Sequence, residues 1–201
     1  MKPKRSIFLL ACVVALVLGA TATASAAPAW KFNATELTAP ETVVGAAISS
    51  DMTIPGATTT CGHFLYNMKI SDAAGKGKGE ITELPLFECS TNTVCTVKAI
   101  EAEKLPWPTH LVTVGTSDYI VIEGVKVGIE YSGTSCAIAG FVVVKGTAGG
   151  IIENATEKAT FNKTTFTATG TALKDGATPV EWNGEFPTEG FETHREQHLE
   201  G

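Results

Sequence analysis

The cysteines are the residues of this chain whose chemistry is most specific. Cys12 lies in an apolar N-terminal run, so Cys61, Cys89, Cys95 and Cys136 are those available to a folded domain. An even number of cysteines, without CxxC pairs or a histidine cluster, is typical of disulfides and not of a zinc site. Polar, turn-forming residues separate Cys89 from Cys95, so we expect these two to bond to each other and Cys61 to bond to Cys136.

Carboxylates are the second group of residues that could carry out a reaction, because glycosidases use two carboxyl groups that face each other across a cleft. Glu101 and Glu103 share one face of a predicted strand. Glu181 and Glu185 flank an Asn-Gly dipeptide, which is typical of hairpin turns. Strand carboxylates of an acidic protein more often form a solvated face, and we favour that interpretation.

The serine and histidine residues complete no catalytic or metal-binding set. Ser135 lies in the string GTSCA, which lacks the second glycine of a nucleophile elbow. His194 and His198 lie one helical turn apart, but Arg195 occupies the position where a zinc protease carries glutamate. We therefore expect neither an enzyme nor a metal or cofactor, and we interpret these histidines as part of a solvated tail.

Trp107 and His110 are the candidates for ligand binding. Two prolines flank Trp107 and hold it in an extended conformation, in which an exposed indole would form a flat platform for a sugar or a peptide. The alternative, which we favour, is that Trp107 fills one end of the core. We interpret Trp30 and Trp182 in the same way.

Alternation of apolar and polar residues, rather than helical periodicity, predicts the elements that position these groups. In HFLYNMKIS, the side chains of Phe64, Tyr66, Met68 and Ile70 point to one face, which should be buried. A second strand, which Pro85 interrupts, should complete a hairpin with it. The spacing of apolar runs indicates about ten strands. We therefore predict an all-β fold, either a mainly antiparallel β-sandwich or a closed β-barrel.

The N-terminus has the three-part pattern of a secretory signal peptide. Lys2, Lys4 and Arg5 precede an apolar run, after which small residues end in Ala-Ser-Ala at Ala26. We predict cleavage between Ala26 and Ala27. The apolar run of about a dozen residues is shorter than the ~20 that a spanning helix needs, so we expect no stable membrane anchor.

Cleavage would leave residues 27–187 as a single all-β domain and residues 188–201 as a polar tail or short helix. It would remove three of the 15 basic residues and none of the 21 acidic ones, so the net charge would become −9. Such a chain repels phosphate backbones, and we expect no nucleic-acid partner.

Three long strings carry a resemblance to known sequences: WKFNATELTAPETVVGAAISS, TVKAIEAEKLPWPTHLVTV and VEWNGEFPTEGFETHREQ. With these strings and the loop between Cys89 and Cys95, the chain resembles a family of small, uncharacterised exported bacterial proteins. The resemblance implies export and a single domain, and it implies no activity, ligand or catalytic residue.

These observations rank three classes of function. We favour a non-catalytic protein, secreted or on the exterior of the cell envelope, whose partner is an envelope or extracellular polymer. The first alternative is a β module that binds carbohydrate or a small apolar ligand. The second is an exported hydrolase.

The signal pattern predicts that the exported protein begins at Ala27. Signal peptidases require small residues just before the cleaved bond, and Ala24 and Ala26 provide them. N-terminal sequencing of protein from the culture medium should therefore read Ala-Pro-Ala-Trp. Recovery of the full-length chain from membranes alone would contradict soluble export.

Overall fold

The computed structural model describes residues 29–32, 35–37, 39–47, 49–71, 77–153, 158–162, 173–187 and 199–200. The predicted signal peptide, with its cleavage site between Ala26 and Ala27, lies outside these residues. His194, His198 and most of the predicted C-terminal tail lie outside them as well. Within the described ranges, no helix has the length and hydropathy that crossing a membrane requires.

The described residues form β-strands joined by turns, which confirms the predicted all-β class. In chain order the strands are β1 (Ala29–Phe32), β2 (Thr35–Glu36), β3 (Glu41–Ala47), β4 (Ser50–Ile54), β5 (Ala57–Ile70), β6 (Gly79–Glu83), β7 (Leu86–Thr91), β8 (Thr96–Ala102), β9 (Trp107–Val114), β10 (Ser117–Ser132), β11 (Gly140–Glu153), β12 (Lys158–Phe161), β13 (Leu173–Asp175), β14 (Thr178–Pro187) and β15 (Leu199–Glu200). The described ranges hold more strands than predicted, because bends divide single runs of sequence, as Pro85 does between β6 and β7.

Twelve of the strands form one antiparallel sheet that closes on itself. Its hydrogen-bonded pairs run in a circuit from β4 through β5, β6, β9, β10, β11, β12 and β14 back to β4. This circuit is the closed barrel of the two predicted alternatives, since a sandwich would leave two separate sheets. Outside the circuit, β3 and β7 pair with β5, β8 pairs with β10, and β13 lies between β11 and β14.

Alternate side chains of the long strands fill the barrel. Phe64, Tyr66, Met68 and Ile70 of β5 are buried, which confirms the predicted inward face, whereas Leu65 between them is exposed. The predicted hairpin is also confirmed, because β5 pairs with β6 in antiparallel register.

Two of the interior rings lie over glycines on the strand directly opposite. Tyr66 pairs with Gly45, and Phe161 pairs with Gly150. A Cβ atom on Gly45 would collide with the Tyr66 ring, and one on Gly150 would lie 2.8 Å from the Phe161 ring. Any larger residue at these two positions would therefore push an aromatic side chain out of the core.

The Asn183-Gly184 dipeptide does not form a hairpin turn, so that prediction is wrong. Both residues lie inside β14, where Asn183 pairs with Asp51 and Gly184 pairs with Ser50 of β4. On its other edge, Gly184 pairs with Phe161 of β12. Ladders on both edges keep this backbone extended, so tertiary pairing overrides the local turn preference of the dipeptide.

Leu199–Glu200 form β15, and the rest of the predicted polar tail or short helix lies outside the described residues. β15 and β2 flank β1 in a separate three-stranded antiparallel sheet. Pairing with the open edge of β1 satisfies backbone groups of this segment, which explains why it is extended.

The four cysteines form two disulfides, but the predicted pairing is wrong. Cys61 is bonded to Cys89, and Cys95 is bonded to Cys136. Cys61 of β5 and Cys89 of β7 lie directly opposite each other in the ladder, with their Cα atoms 3.9 Å apart. Cys95 lies just before β8 and reaches the turn after β10 that holds Cys136. Strand register decides the pairing, and the turn-forming residues between Cys89 and Cys95 carry no information about it.

These pairings predict that the two disulfides stabilise the fold almost equally. They link residues 28 and 41 positions apart, so the loops that they close are of similar length. The chain-entropy model gives about 3.5 to 4 kcal/mol for each. Replacing Cys61 and Cys89 together with alanine, or Cys95 and Cys136 together, should lower the free energy of unfolding in urea by similar amounts. A free thiol titrated in either double variant would contradict the pairing.

Candidate functional site

Trp107 begins β9, and its side chain lies in the core with 1% of its surface exposed. Its Nε1–H donates a hydrogen bond of 2.9 Å to the carbonyl oxygen of Glu103. The Glu103 N–H donates to the carbonyl oxygen of Lys126 over 2.8 Å, and the Glu103 carboxylate pairs with the Lys126 ammonium group. A ligand platform needs an exposed ring face. Trp107 has none, so it is placed as a core residue.

His110 lies on the outer face of β9, where its side chain is 34% exposed. Its Nδ1 atom is 3.8 Å from a carboxylate oxygen of Glu123 on the neighbouring strand β10. Because successive side chains of a strand alternate between faces, Trp107 points inward and His110 points outward. The two ligand-binding candidates therefore do not form one site.

Two of the candidate carboxylates form ion pairs with lysines, and a third is exposed. Glu103 pairs with Lys126, Glu185 pairs at 2.9 Å with a lysine of β12, and Glu101 lies exposed on β8. Glu181 and Glu185 both lie in β14, so their Cα atoms are about 13 Å apart at the usual rise per residue. No turn brings them together, since the dipeptide between them is extended.

Ser135 lies in a turn and not at a junction between a strand and a helix. The adjacent Cys136 is disulfide-bonded, and its N–H donates to the carbonyl oxygen of Gly133 over 3.2 Å. In the part of the chain that the structure describes, no three His, Cys, Asp or Glu side chains converge as metal ligands.

The barrel interior contains an apolar cavity, hereafter the chamber, at the end that Trp30 of β1 enters. Its lining includes Met68, Ile81, Trp107, Ile120, Phe161 and Phe186. The free volume is about 30 Å³, so side chains nearly fill it. Tyr66 also lines the chamber, and burial raises the pKa of its phenol well above the ordinary value. The chamber therefore favours neutral groups over charged ones.

On the outside of the barrel, three apolar side chains form a diagonal row across β3, β5 and β7. Val44, Leu65 and Phe87, hereafter the outer strip, have exposed fractions of 45%, 44% and 47%. Val44 pairs with Asn67, and Phe87 pairs with His63. Leu65 lies two residues from each of these partners, so it is a diagonal neighbour of both apolar side chains at about 7 to 8 Å. Adjacent exposed apolar groups mark contact surfaces more often than single ones do.

Polar pairs border the outer strip. His63 Nδ1 and Glu88 Oε2 are 3.0 Å apart, and Asn67 Nδ2 donates to Glu83 Oε2 over 2.6 Å. Both pairs are exposed to solvent. An apolar centre with a polar, solvated rim is the usual anatomy of a protein–protein contact surface.

An open groove of about 490 Å³ lies beside the outer strip, between β7 and β8. We call this groove the side groove. The residues that line it include Glu83, Pro85, Leu86, Ile100, Glu101 and Leu105. Pro85 connects it to the outer strip, because its carbonyl oxygen accepts a hydrogen bond of 3.2 Å from the Leu65 N–H. Within the described ranges, β7 pairs only with β5 and β8 pairs only with β10. One edge of each strand therefore carries no ladder.

The two disulfides anchor both sides of the side groove. Cys61–Cys89 ties β7 to β5, and Cys95–Cys136 ties the start of β8 to the turn after β10. These cross-links hold β7 and β8 to other strands, so the two edges keep their places without a ladder between them.

Sequence reasoning does not find the outer strip or the side groove. The signal for the strip is Leu65, an apolar residue on the otherwise polar face of HFLYNMKIS. The signal for the groove is Pro85, which interrupts a strand. Neither residue reveals which strands are neighbours, so neither locates a surface.

Burial of Trp107 predicts that it stabilises the fold. Trp107→Ala should lower the free energy of unfolding by ~3 to 5 kcal/mol, because it leaves a cavity in the core. Phe141→Ala is the control, since Phe141 is aromatic but 65% exposed, and it should change stability by about 0.5 kcal/mol or less. Urea melts measure both values. Unchanged stability of Trp107→Ala, with tryptophan fluorescence open to iodide quenching, would contradict a structural role.

Comparisons with family models, with curated proteins and with solved structures find no match for this chain. The resemblance to exported bacterial proteins therefore stays a prediction from the sequence, and no activity is carried over from a relative.

Proposed function

We propose that this chain is an exported, non-catalytic interaction protein, secreted or on the exterior of the cell envelope, that binds an extended segment of a protein partner. The observation that supports this most directly is the side groove, with the outer strip beside it. Both lie on one part of the barrel wall, because the strip crosses β7 and the groove begins at its free edge.

The unpaired edges of β7 and β8 favour an extended occupant. A strand edge presents a row of N–H and C=O groups, and a partner segment that adds as a strand satisfies them. Leu86, Ile100 and Leu105 are half-buried apolar residues of the side groove, where alternate side chains of such a segment would pack. The outer strip would extend this contact to the surface of β5 and β3.

The charge of the side groove favours a basic segment. Among the described residues, its lining includes the carboxylates of Glu83 and Glu101 and no basic side chain. The whole chain has a formal net charge of −6. Complementary charge speeds association and selects between partners. The segment that fits best therefore alternates apolar residues with lysine or arginine.

Two observations support export. The N-terminal pattern of charges, apolar run and small residues is that of a signal peptide. Two disulfides, which the structure contains, form and persist in oxidising compartments outside the cytoplasm.

The alternative functions have weaker support. A carbohydrate-binding module presents exposed aromatic rings, whereas Trp30, Trp107 and Trp182 are all buried. A hydrolase needs ionisable groups that converge in a cleft, and the candidate carboxylates instead pair with lysines or lie apart on one strand.

Site-specific photo-crosslinking in the producing cell tests the proposed surface. The photoreactive residue p-benzoylphenylalanine would replace Phe87, Ile100 or, as the matched control, Val114. Phe87 and Val114 are exposed to similar extents, 47% and 42%, but Val114 ends β9, seven residues and about 23 Å along the strand from Trp107, and does not line the side groove. We expect one discrete adduct from the first two positions and none from the third.

Charge reversal separates a specific partner from adventitious capture. In the Glu83→Lys, Glu101→Lys background the adduct yield should fall about tenfold, because the groove loses its complementary charge. Circular dichroism melts would verify that the reversed variant folds. The proposal fails if the Phe87 and Ile100 positions give no adduct, if the Val114 position gives the same adduct, or if charge reversal leaves the yield unchanged.

A further inference from the structure

Trp30 lies in the chamber without belonging to the barrel. It is part of β1, which pairs with β2 and β15 in the separate small sheet. In the described part of the chain, no ladder joins this sheet to the twelve-stranded one. Among the side chains that the structure describes there, Trp30 and Leu37 are those that pack against the barrel core. The indole of Trp30 is therefore one of the described contacts between the small sheet and the barrel.

The indole of Trp30 is held less completely than the other two. Trp107 donates its Nε1–H to the Glu103 carbonyl oxygen over 2.9 Å, and Trp182 donates to the Ser50 hydroxyl oxygen over 2.5 Å. The Nε1 atom of Trp30 is buried, and no described residue accepts its hydrogen bond. A buried donor without a partner opposes burial of the group that carries it. Trp30 therefore occupies the chamber by apolar contact alone.

The lining of the chamber suits a flat apolar group better than a charged one. Around Trp30 its lining is almost wholly apolar, with Met68, Ile81 and Ile120 among the aliphatic contacts. Withdrawal of the indole would add its volume to the free 30 Å³. Closed barrels of about eight strands have interiors that are either filled by side chains or hold one small ligand, so removal of one large side chain leaves room for a ligand of similar size.

We propose that the chamber is a binding site for a neutral, planar aromatic molecule about the size of an indole. The side chain of Trp30 competes with this molecule for the chamber. Ligand entry requires Trp30 to leave, and β1 leaves with it. The observed affinity is the intrinsic affinity multiplied by the fraction of molecules whose chamber is vacant. Ligand binding therefore releases the small sheet from the mouth of the barrel. This site is separate from the side groove and does not depend on the proposed partner.

Titration with indole tests the proposal on the unmodified protein. Calorimetry should show saturable binding with one site per chain. In protein labelled with fluorotryptophan, fluorine NMR resolves the three tryptophans, and Trp30→Phe assigns the signal of Trp30. Addition of indole should move that signal to the position of solvent-exposed tryptophan, while the signals of Trp107 and Trp182, which line the chamber, should shift less and remain those of buried indoles.

Removal of the competitor tests the mechanism. Trp30→Ala should bind indole at least about tenfold more tightly than the unmodified protein, because its chamber is always vacant. Phe141→Ala, on the outer surface, should bind indole as the unmodified protein does. If Trp30→Ala does not fold, the fluorine titration of the unmodified protein decides alone.

Three results would overturn the proposal. The first is the absence of saturable binding to the unmodified protein, even if Trp30→Ala binds, since the cavity would then be a product of the substitution. The second is saturable binding that leaves the Trp30 signal in place. The third is a folded Trp30→Ala variant whose affinity for indole equals that of the unmodified protein.

Discussion

Closure of the sheet depends on one cluster of aromatic rings. The ring of Phe186 lies between 4.5 and 5.8 Å, centroid to centroid, from those of Phe64, Tyr66, Phe161 and Trp182. These side chains come from β5, β12 and β14, which are distant in the chain. β14 completes the circuit by pairing with both β12 and β4. Burial of this much aromatic surface is what brings the last strand to the first, because each ring contributes a large apolar area.

The same cluster determines the composition of the surrounding strands. Two of the large rings, those of Tyr66 and Phe161, fit because the opposite positions are Gly45 and Gly150. The interior is therefore filled by a few aromatic groups in defined positions. What remains is the chamber, whose most loosely held occupant is Trp30, from the separate small sheet.

Closure also shapes the outer wall. β5 is long enough to pair with β4 and β3 along one edge and with β7 and β6 along the other. One edge of β7 pairs with β5, and one edge of β8 pairs with β10. Their other edges carry no ladder in the described ranges. The disulfides reinforce the edges that are already paired, since one links β7 to β5 and the other links the start of β8 to the turn after β10. A surface with unpaired strand edges, exposed apolar groups and fixed geometry suits a partner that supplies the absent strand.

The sequence by itself determined the all-β class, the inward face of β5 and the interruption at Pro85. These features follow from alternation and from the missing N–H of proline, which act over a few residues. The signal-peptide pattern is equally local. The burial of Trp107 was favoured but not decided, because two flanking prolines suit both a core residue and an exposed platform.

The tertiary structure alone decided the disulfide pairing, the fate of Asn183-Gly184 and the position of the outer strip. Each depends on which strands become neighbours and in what register. Cys61 meets Cys89 because β5 and β7 pair, and Asn183 stays extended because β4 holds the edge beside it. Register between distant strands is set by the sum of many packing contacts in the closed barrel, and no short stretch of sequence encodes that sum.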